Sequence, residues 1–268
     1  MTSARTIPFL LALLMTCGAI GQPTPVIPGP VDAFTTDEVG NIYVLRGDVL
    51  ELYDAKGASW LRNSVKTFGR ISSIDAFYSL KPVIFSQEQG QLAVLDNTLS
   101  LQGSVLSLPR NGFPQVVLAC ASVQNGFWFF DQQEMELIRV DAQLRKLANT
   151  GRLDQLLGFT VSPVALQEFD SRLYVNDPAH GLLVFDVFGT YMRTIPLTEV
   201  TSFEVRGEAL YFVQGGEAQV YDMRSFAIAP IPMPDALKSA MLDLRVERGR
   251  LYVRTAEGIF IHEVGSGR

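Results

Sequence analysis

Few side chains in this sequence are suited to covalent or metal chemistry. There are two histidines and two cysteines in 268 residues, so the commonest general bases, nucleophiles and soft metal ligands are nearly missing. His180 falls in an Asp177-Pro-Ala-His-Gly turn and His262 in an apolar run, where they read as a loop histidine and a structural strand histidine. Cys120 sits in Val117-Leu-Ala-Cys-Ala-Ser-Val and reads as a small buried hydrophobe. The Gly-x-Ser-x-Gly, His-Glu-x-x-His, Cys-x-x-Cys and EF-hand patterns are all absent. What remains is carboxylate chemistry. Asp32 and Asp75 open parallel Asp-Ala-Phe triplets, and Glu204, Asp243 and Arg245 stand in later apolar runs. Oxygen ligands of this kind suit a hard cation such as calcium. The other polar groups are turns that suit non-covalent recognition: Gln87-Glu88-Gln89, Asp131-Gln132-Gln133-Glu134, Asn176-Asp177 and Gln214 to Glu217.

The composition narrows the partners. A net charge of −6 and a pI near 5.0, without a Lys/Arg cluster, remove the electrostatic footprint that a phosphate backbone requires. Nucleic acid is therefore excluded as a partner. With 47% hydrophobic and 19% charged residues, the chain is neither disordered nor a disulfide scaffold.

Residues 1–21 carry Arg5, the apolar run Phe9 to Met15, and small residues at Ala19 and Gly21. This is the pattern of a secretory signal cleaved before Gln22. The apolar run is well short of the roughly 20 residues that span a bilayer, so no transmembrane anchor is expected. A minority alternative takes Leu14-Met15-Thr16-Cys17 as a lipoprotein box with Cys17 acylated. The expectation is an exported protein, periplasmic or secreted, whose residues 22–268 form one domain.

The elements that position these groups emerge from an internal repeat. An aromatic-centred β run, a polar turn and a second β run ending in an acid recur six times. The pairs are Ile42-Tyr43-Val44 to Leu52-Tyr53-Asp54, Ile84-Phe85 to Val94-Leu95-Asp96, and Phe127-Trp128-Phe129 to Arg139-Val140-Asp141. They continue as Leu173-Tyr174-Val175 to Val184-Phe185-Asp186, Leu210-Tyr211-Phe212 to Val220-Tyr221-Asp222, and Leu251-Tyr252-Val253 to Ile261-His262-Glu263. The acids are 42, 45, 45, 36 and 41 residues apart. That period is the length of a four-stranded propeller blade, and residues 22–268 hold about six of them.

The fold class is thus all-β, a six-bladed β-propeller. In the fourth unit the strands are predicted at Pro163 to Gln167, Arg172 to Val175, Leu182 to Asp186 and Tyr191 to Ile195. The closing aspartates read as turn formers that accept nearby backbone N–H groups. Phe127 to Phe130 read as core, whereas Trp60 in an outer strand could meet a partner. After Glu263 too few residues remain for a fourth strand, so residues 22–30 are expected to complete the last blade. Their prolines are tolerable on an outer edge. Short helices are expected at Arg152 to Leu157 and at Asp235 to Met241, the latter capped by Asp235.

The repeat resembles the NHL-repeat and YVTN-type propeller families, over roughly residues 31–268. The resemblance implies fold much more than activity. Six-bladed lactonase-like hydrolases are similar in holding calcium with inner-strand carboxylates and an Asn, usually with a histidine nearby. Here no Asn or His occupies a predicted innermost strand. No cofactor is therefore expected, with calcium as the alternative, held by Asp32, Asp75, Glu204 and Asp243 in a calcium-assisted hydrolase or lyase. The leading expectation is a non-enzymatic interaction or scaffold module of the bacterial cell envelope. Its partner would be an envelope or secreted protein, or a glycan or peptide, met through the polar turns or the channel mouth.

Overall fold

The computed structural model describes residues 23–64, 68–77, 80–238 and 240–263. The expected signal segment and Cys17 lie outside the described residues. Six four-stranded antiparallel sheets form the blades. Blade one holds β2 (Ala33–Thr36), β3 (Ile42–Arg46), β4 (Val49–Tyr53) and β5 (Ser59–Ser64). Blade two holds β6 (Ser73–Asp75), β7 (Val83–Ser86), β8 (Gln91–Val94) and β9 (Leu106–Ser107), and blade three β10 (Val116–Ser122), β11 (Gly126–Asp131), β12 (Glu136–Val140) and β13 (Lys146–Asn149). Blade four holds β14 (Ala165–Phe169), β15 (Arg172–Asp177), β16 (Gly181–Asp186) and β17 (Tyr191–Ile195). Blade five holds β18 (Val200–Arg206), β19 (Ala209–Gln214), β20 (Glu217–Asp222) and β21 (Ile228–Pro230). Blade six is β22 (Asp243–Glu247), β23 (Arg250–Thr255) and β24 (Gly258–Glu263), completed on its outer edge by the N-terminal β1 (Ile27–Pro28).

The six-fold repeat is the reason this chain closes into a ring. The second strand of each blade carries a large side chain packed into the interface with one neighbouring blade: Tyr43, Phe85, Trp128, Tyr174, Phe212 and Tyr252 are all at most 1% exposed. Each contributes about 2 kcal/mol of burial. The described core falls into six clusters, one at each blade interface, including one between blades six and one. Inner strands β2, β6, β10, β14, β18 and β22 pack in that order and return to β2.

The repeated aspartate is a turn device. Asp54 Oδ1 accepts the N–H groups of Lys56 and Ala58, each at 2.8 Å. Asp96, Asp141 and Asp186 repeat this with the residues two and four places on, and Asp222 with Arg224 and Ser225. These bonds hold the carboxyls of Asp54, Asp96, Asp141 and Asp222 below their usual range.

Closure is short and reinforced. β1 pairs Ile27 with Ile259 and Pro28 with Gly258. Arg46 donates from Nη2 to the Pro28 carbonyl at 2.7 Å and from Nε to that of Pro30 at 3.1 Å. Arg250 and Arg254 of blade six reach the carbonyls of Ala55 and Val31. Gly258 has φ +141°, and a Cβ there would run into the Ile27 carbonyl. Glycine is what lets β1 lie against β24.

One expected helix is present, α1 (Leu153–Leu157). The other is reduced to a single 3-10 turn, Asp235–Leu237, begun by Pro234 without a side-chain cap. Asp235 binds Lys238 Nζ at 2.6 Å instead of capping. A short polar side chain serves the nearest available donor, here the ammonium three residues on.

Two outcomes are expected. Gly258→Ala should lower the melting temperature by roughly 2–4 °C or more and expose the N-terminal segment to limited proteolysis; an unchanged melting curve would show that β1 contributes nothing to closure. Because the folded pKa of Asp96 lies below 3.8, its contribution is present above that pH and lost as pH falls through the folded value. The melting-temperature gap between wild type and Asp96→Ala, followed by circular dichroism, should be widest near neutrality and close in acid.

Candidate functional site

Antiparallel alternation puts the turns between second and third strands on the same face as the blade-to-blade connections. Gln87, Glu88, Gln89, Gln132, Gln133, Glu134 and Glu217 are exposed there, and Gln214 is half-buried with its amide on the Thr198 carbonyl at 2.7 Å. Among the described residues, Asp48, Glu88, Glu134 and Glu257 lie in these turns and Glu217 opens β20 at the fifth; Arg46 ends β3 at the first, and the exposed cations Arg70, Arg110, Arg152 and Lys238 lie in the blade-to-blade connections of the same face. The fourth turn carries His180, whose ring stacks on Phe159 at 3.9 Å and whose Nδ1 lies 3.2 Å from Asp177 Oδ1.

Three residues expected on this rim are not on it. Asp131, Asn176 and Asp177 are buried at 4%, 0% and 0% exposure. Asp131 accepts the N–H groups of Gln133 and Glu134. Asp177 accepts those of Ala179, His180 and Ser162, so it fixes both the turn and the incoming connection. Asn176 Nδ2 donates to the Val200 carbonyl of the next blade at 2.9 Å. These residues end the second strand, where most of their buried polar atoms find a partner; the exception is Asn176 Oδ1, which has none among the described residues.

The inner strands surround a central cavity of about 380 Å³ lined from all six blades. Their acids serve mainly as ties between blades. Asp75 Oδ2 accepts the Ala121 N–H of blade three at 2.9 Å, and Glu204 accepts the Val246 N–H of blade six. Gln167, which no sequence pattern singles out, holds the Val205 N–H at 2.8 Å and the Val205 carbonyl at 3.3 Å. Glu168, also unforeseen, takes Ser122 Oγ and Trp128 Nε1, both at 2.6 Å, and the Val123 N–H at 3.0 Å. The buried Trp128 is thus bonded to blade four as well as packed against it.

Of the four carboxylates named for calcium, Asp75, Glu204 and Asp243 lie about the Arg245 guanidinium and Asp32 stands apart from them. Asp32 caps the Gly47 N–H at 2.6 Å on the loop face. Asp243 engages Ser202 Oγ and, at 2.7 Å, Arg245 Nη1. Glu204 is bound to Arg206 at 2.6 Å, and Arg206 reaches Glu247 at 3.2 Å. Among the described residues no three His, Cys, Asp or Glu side chains are grouped to hold a metal. The guanidinium groups of Arg206 and Arg245 stand among these acids, and their positive charge opposes a further cation. Cys120 is buried, and desolvation raises its thiol well above the ordinary range.

One end of the channel is stopped. Arg206 Cζ lies 4.8 Å from the centroid of the Phe77 ring, and Phe77 meets Phe169 edge-on at 6.1 Å. Phe77 belongs to blade two and Arg206 to blade five, which face each other across the ring. A contact between opposite blades can form only through the axis. The cavity is therefore blind, and its exposed wall residues Ser72, Gln87 and Val164 lie at the loop-face end. Trp60, 57% exposed, stands apart on the outer edge of blade one.

Burial raises the Glu204 carboxyl above 4.5, only partly offset by Arg206, Arg245 and the Val246 N–H. Ionised Glu204 therefore costs stability above pH 4.5, and the cost vanishes on protonation in acid. The melting temperature of Glu204→Gln should gain on wild type as pH rises from 4.5 to neutrality. A gain by wild type instead would mean that the Arg206 pair outweighs desolvation.

No family model matches the sequence, and no curated protein is found similar to it. Solved structures are similar in fold. The Neurospora crassa Pan2 WD40 domain superposes with a TM-score of 0.60 at 8% identity, over 88% of this chain and 76% of that one. BBS1N, in complex with ARL6DN, gives 0.57 at 14% identity over 89% and 78%. Virginiamycin B lyase from Staphylococcus aureus gives 0.56 at 12% identity over 89% and 85%. At such identities the likeness shows architecture alone, and this chain is a six-bladed β-propeller.

Proposed function

We propose that this protein is an exported, non-enzymatic propeller that binds another protein of the cell envelope or secreted space through its loop face. The observation that carries the reading is the division of its acids. Those of the inner strands make contacts between blades, whereas Glu88, Glu134, Glu217 and Glu257 at the turns are exposed, and of the cations in the neighbouring connections Arg152 and Lys238 are already paired with Asp154 and Asp235. A partner with complementary positive charge is steered to such a face, and the attraction weakens with salt because the Debye length is about 10 Å at 0.1 M. Export is supported by the charge, apolar run and small residues of positions 1–21.

The mature protein, used as bait on envelope extracts, should capture a basic partner at low salt and release it as salt rises. Combined Glu88→Lys, Glu134→Lys and Glu217→Lys changes should lose that partner, while Glu208→Lys on the opposite face should keep it. Capture that is insensitive to both the turn substitutions and salt would sink the reading.

A further inference from the structure

We infer that the blind central cavity is a binding site for a small zwitterion, an α-amino acid or a short peptide with free termini. At about 380 Å³ it is in the size range of ligand pockets, roughly 300–1,000 Å³. It is open at the loop face and stopped behind by Phe77, Phe169 and Arg206, so a ligand has one way in and a floor.

Its wall carries two complementary ionic groups with capacity to spare. Arg245 uses Nη1 for Asp243, Ser202 and the Leu244 carbonyl, while its Nε and Nη2 donate to nothing among the described residues. The guanidinium lies 5.6 Å from the Phe34 ring centroid, which helps to fix its plane. A planar fork with free donors is suited to a carboxylate. Asp75 accepts one N–H at each oxygen, from Phe77 at 3.1 Å and Ala121 at 2.9 Å. A carboxylate has about four acceptor sites, so two remain for an ammonium. Thr36 in the same wall keeps a buried hydroxyl oxygen with no hydrogen-bond partner among the described residues.

Charge selects the ligand class. The ionic groups lining the cavity are Asp75, Glu168 and Glu204 against Arg206 and Arg245, a near balance. A simple anion would be drawn to Arg245 but repelled by the neighbouring Asp75, Glu204 and Asp243. A simple cation would meet Arg245 and Arg206. A molecule carrying both charges satisfies Arg245 and Asp75 together and brings no net charge into a desolvated site. Burial opposes the charge on Arg245, and the carboxylates of Asp243, Glu204 and Asp75 together keep its pKa above the ordinary value.

Calorimetric titration and thermal shift on the mature protein, with no protein partner present, test this independently of the loop-face reading. The probes are glycine, L-alanine, L-alanyl-L-alanine and trialanine at up to about 10 mM, beside N-acetylated and C-amidated forms of each. At least one free zwitterion should bind, and blocking either terminus should weaken it about 10- to 100-fold. Arg245→Gln should erase the preference for the free acid over the amide. Asp75→Asn, whose side-chain oxygen still accepts one N–H, should erase the preference for the free amine and carries the test if the arginine variant does not fold. Absence of binding by every free zwitterion, equal binding of blocked forms, or an unchanged preference in the folded variants would each overturn the inference.

Discussion

The structure depends on how the innermost strands of blades three, five and six treat their open edges. A sheet edge that faces a channel leaves backbone N–H groups without a ladder partner. At blades three, five and six a side chain of the neighbouring inner strand supplies the missing acceptor, Asp75 for Ala121, Gln167 for Val205 and Glu204 for Val246, and Glu168 holds the Val123 N–H in the turn after β10. These bonds set the angle at which one blade meets the next while the aromatic second strands fill the wedge between them. They also explain why ionisable groups are buried in a protein with so little else to suggest catalysis. A charge-assisted bond to a backbone N–H is strong in a low-dielectric interior, and removing the acceptor would leave a buried donor unsatisfied.

The same constraint governs closure. Five blades are each made from consecutive strands, and the sixth borrows β1 from the other end of the chain. Two paired residues form little ladder, so arginines from blades one and six hold the carbonyls of the joining segment and of blade one. Guanidinium groups suit this role because one side chain can serve two carbonyls, as Arg46 does for Pro28 and Pro30.

Once the inner edges are tied, the two ends of the ring differ. The end with the first-to-second-strand turns is shut by an arginine and two phenylalanines from three blades. The other end remains open and is surrounded by acidic turns. A blind pocket inside a charged rim can present two recognition surfaces on one face, a broad one for a macromolecule and a narrow one for a small ligand. The similar solved structures range from a WD40 domain to a lyase, so the likeness shows the fold alone.

The sequence by itself determined the blade number, the strand pattern and the role of the recurring aspartates, because all three are local. A run such as Leu173-Tyr174-Val175 followed by Val184-Phe185-Asp186 contains its own turn and its own cap, and repeats at a nearly constant interval. It also placed β1 on the last blade, since the count of strands left a gap there. Only the tertiary structure decided which polar residues face water. Asn176 and Asp177 share the composition of an exposed turn, yet they end a strand buried between blades. It likewise decided that Gln167 and Glu168 are ties, that Asp75, Glu204 and Asp243 gather about Arg245 while Asp32 holds the Gly47 N–H, and that Phe77, Phe169 and Arg206 meet. The physical reason is distance along the chain. The ties between blades join residues 38 to 46 positions apart, and which side chain reaches which neighbour follows from the angle between packed sheets rather than from any spacing in the sequence.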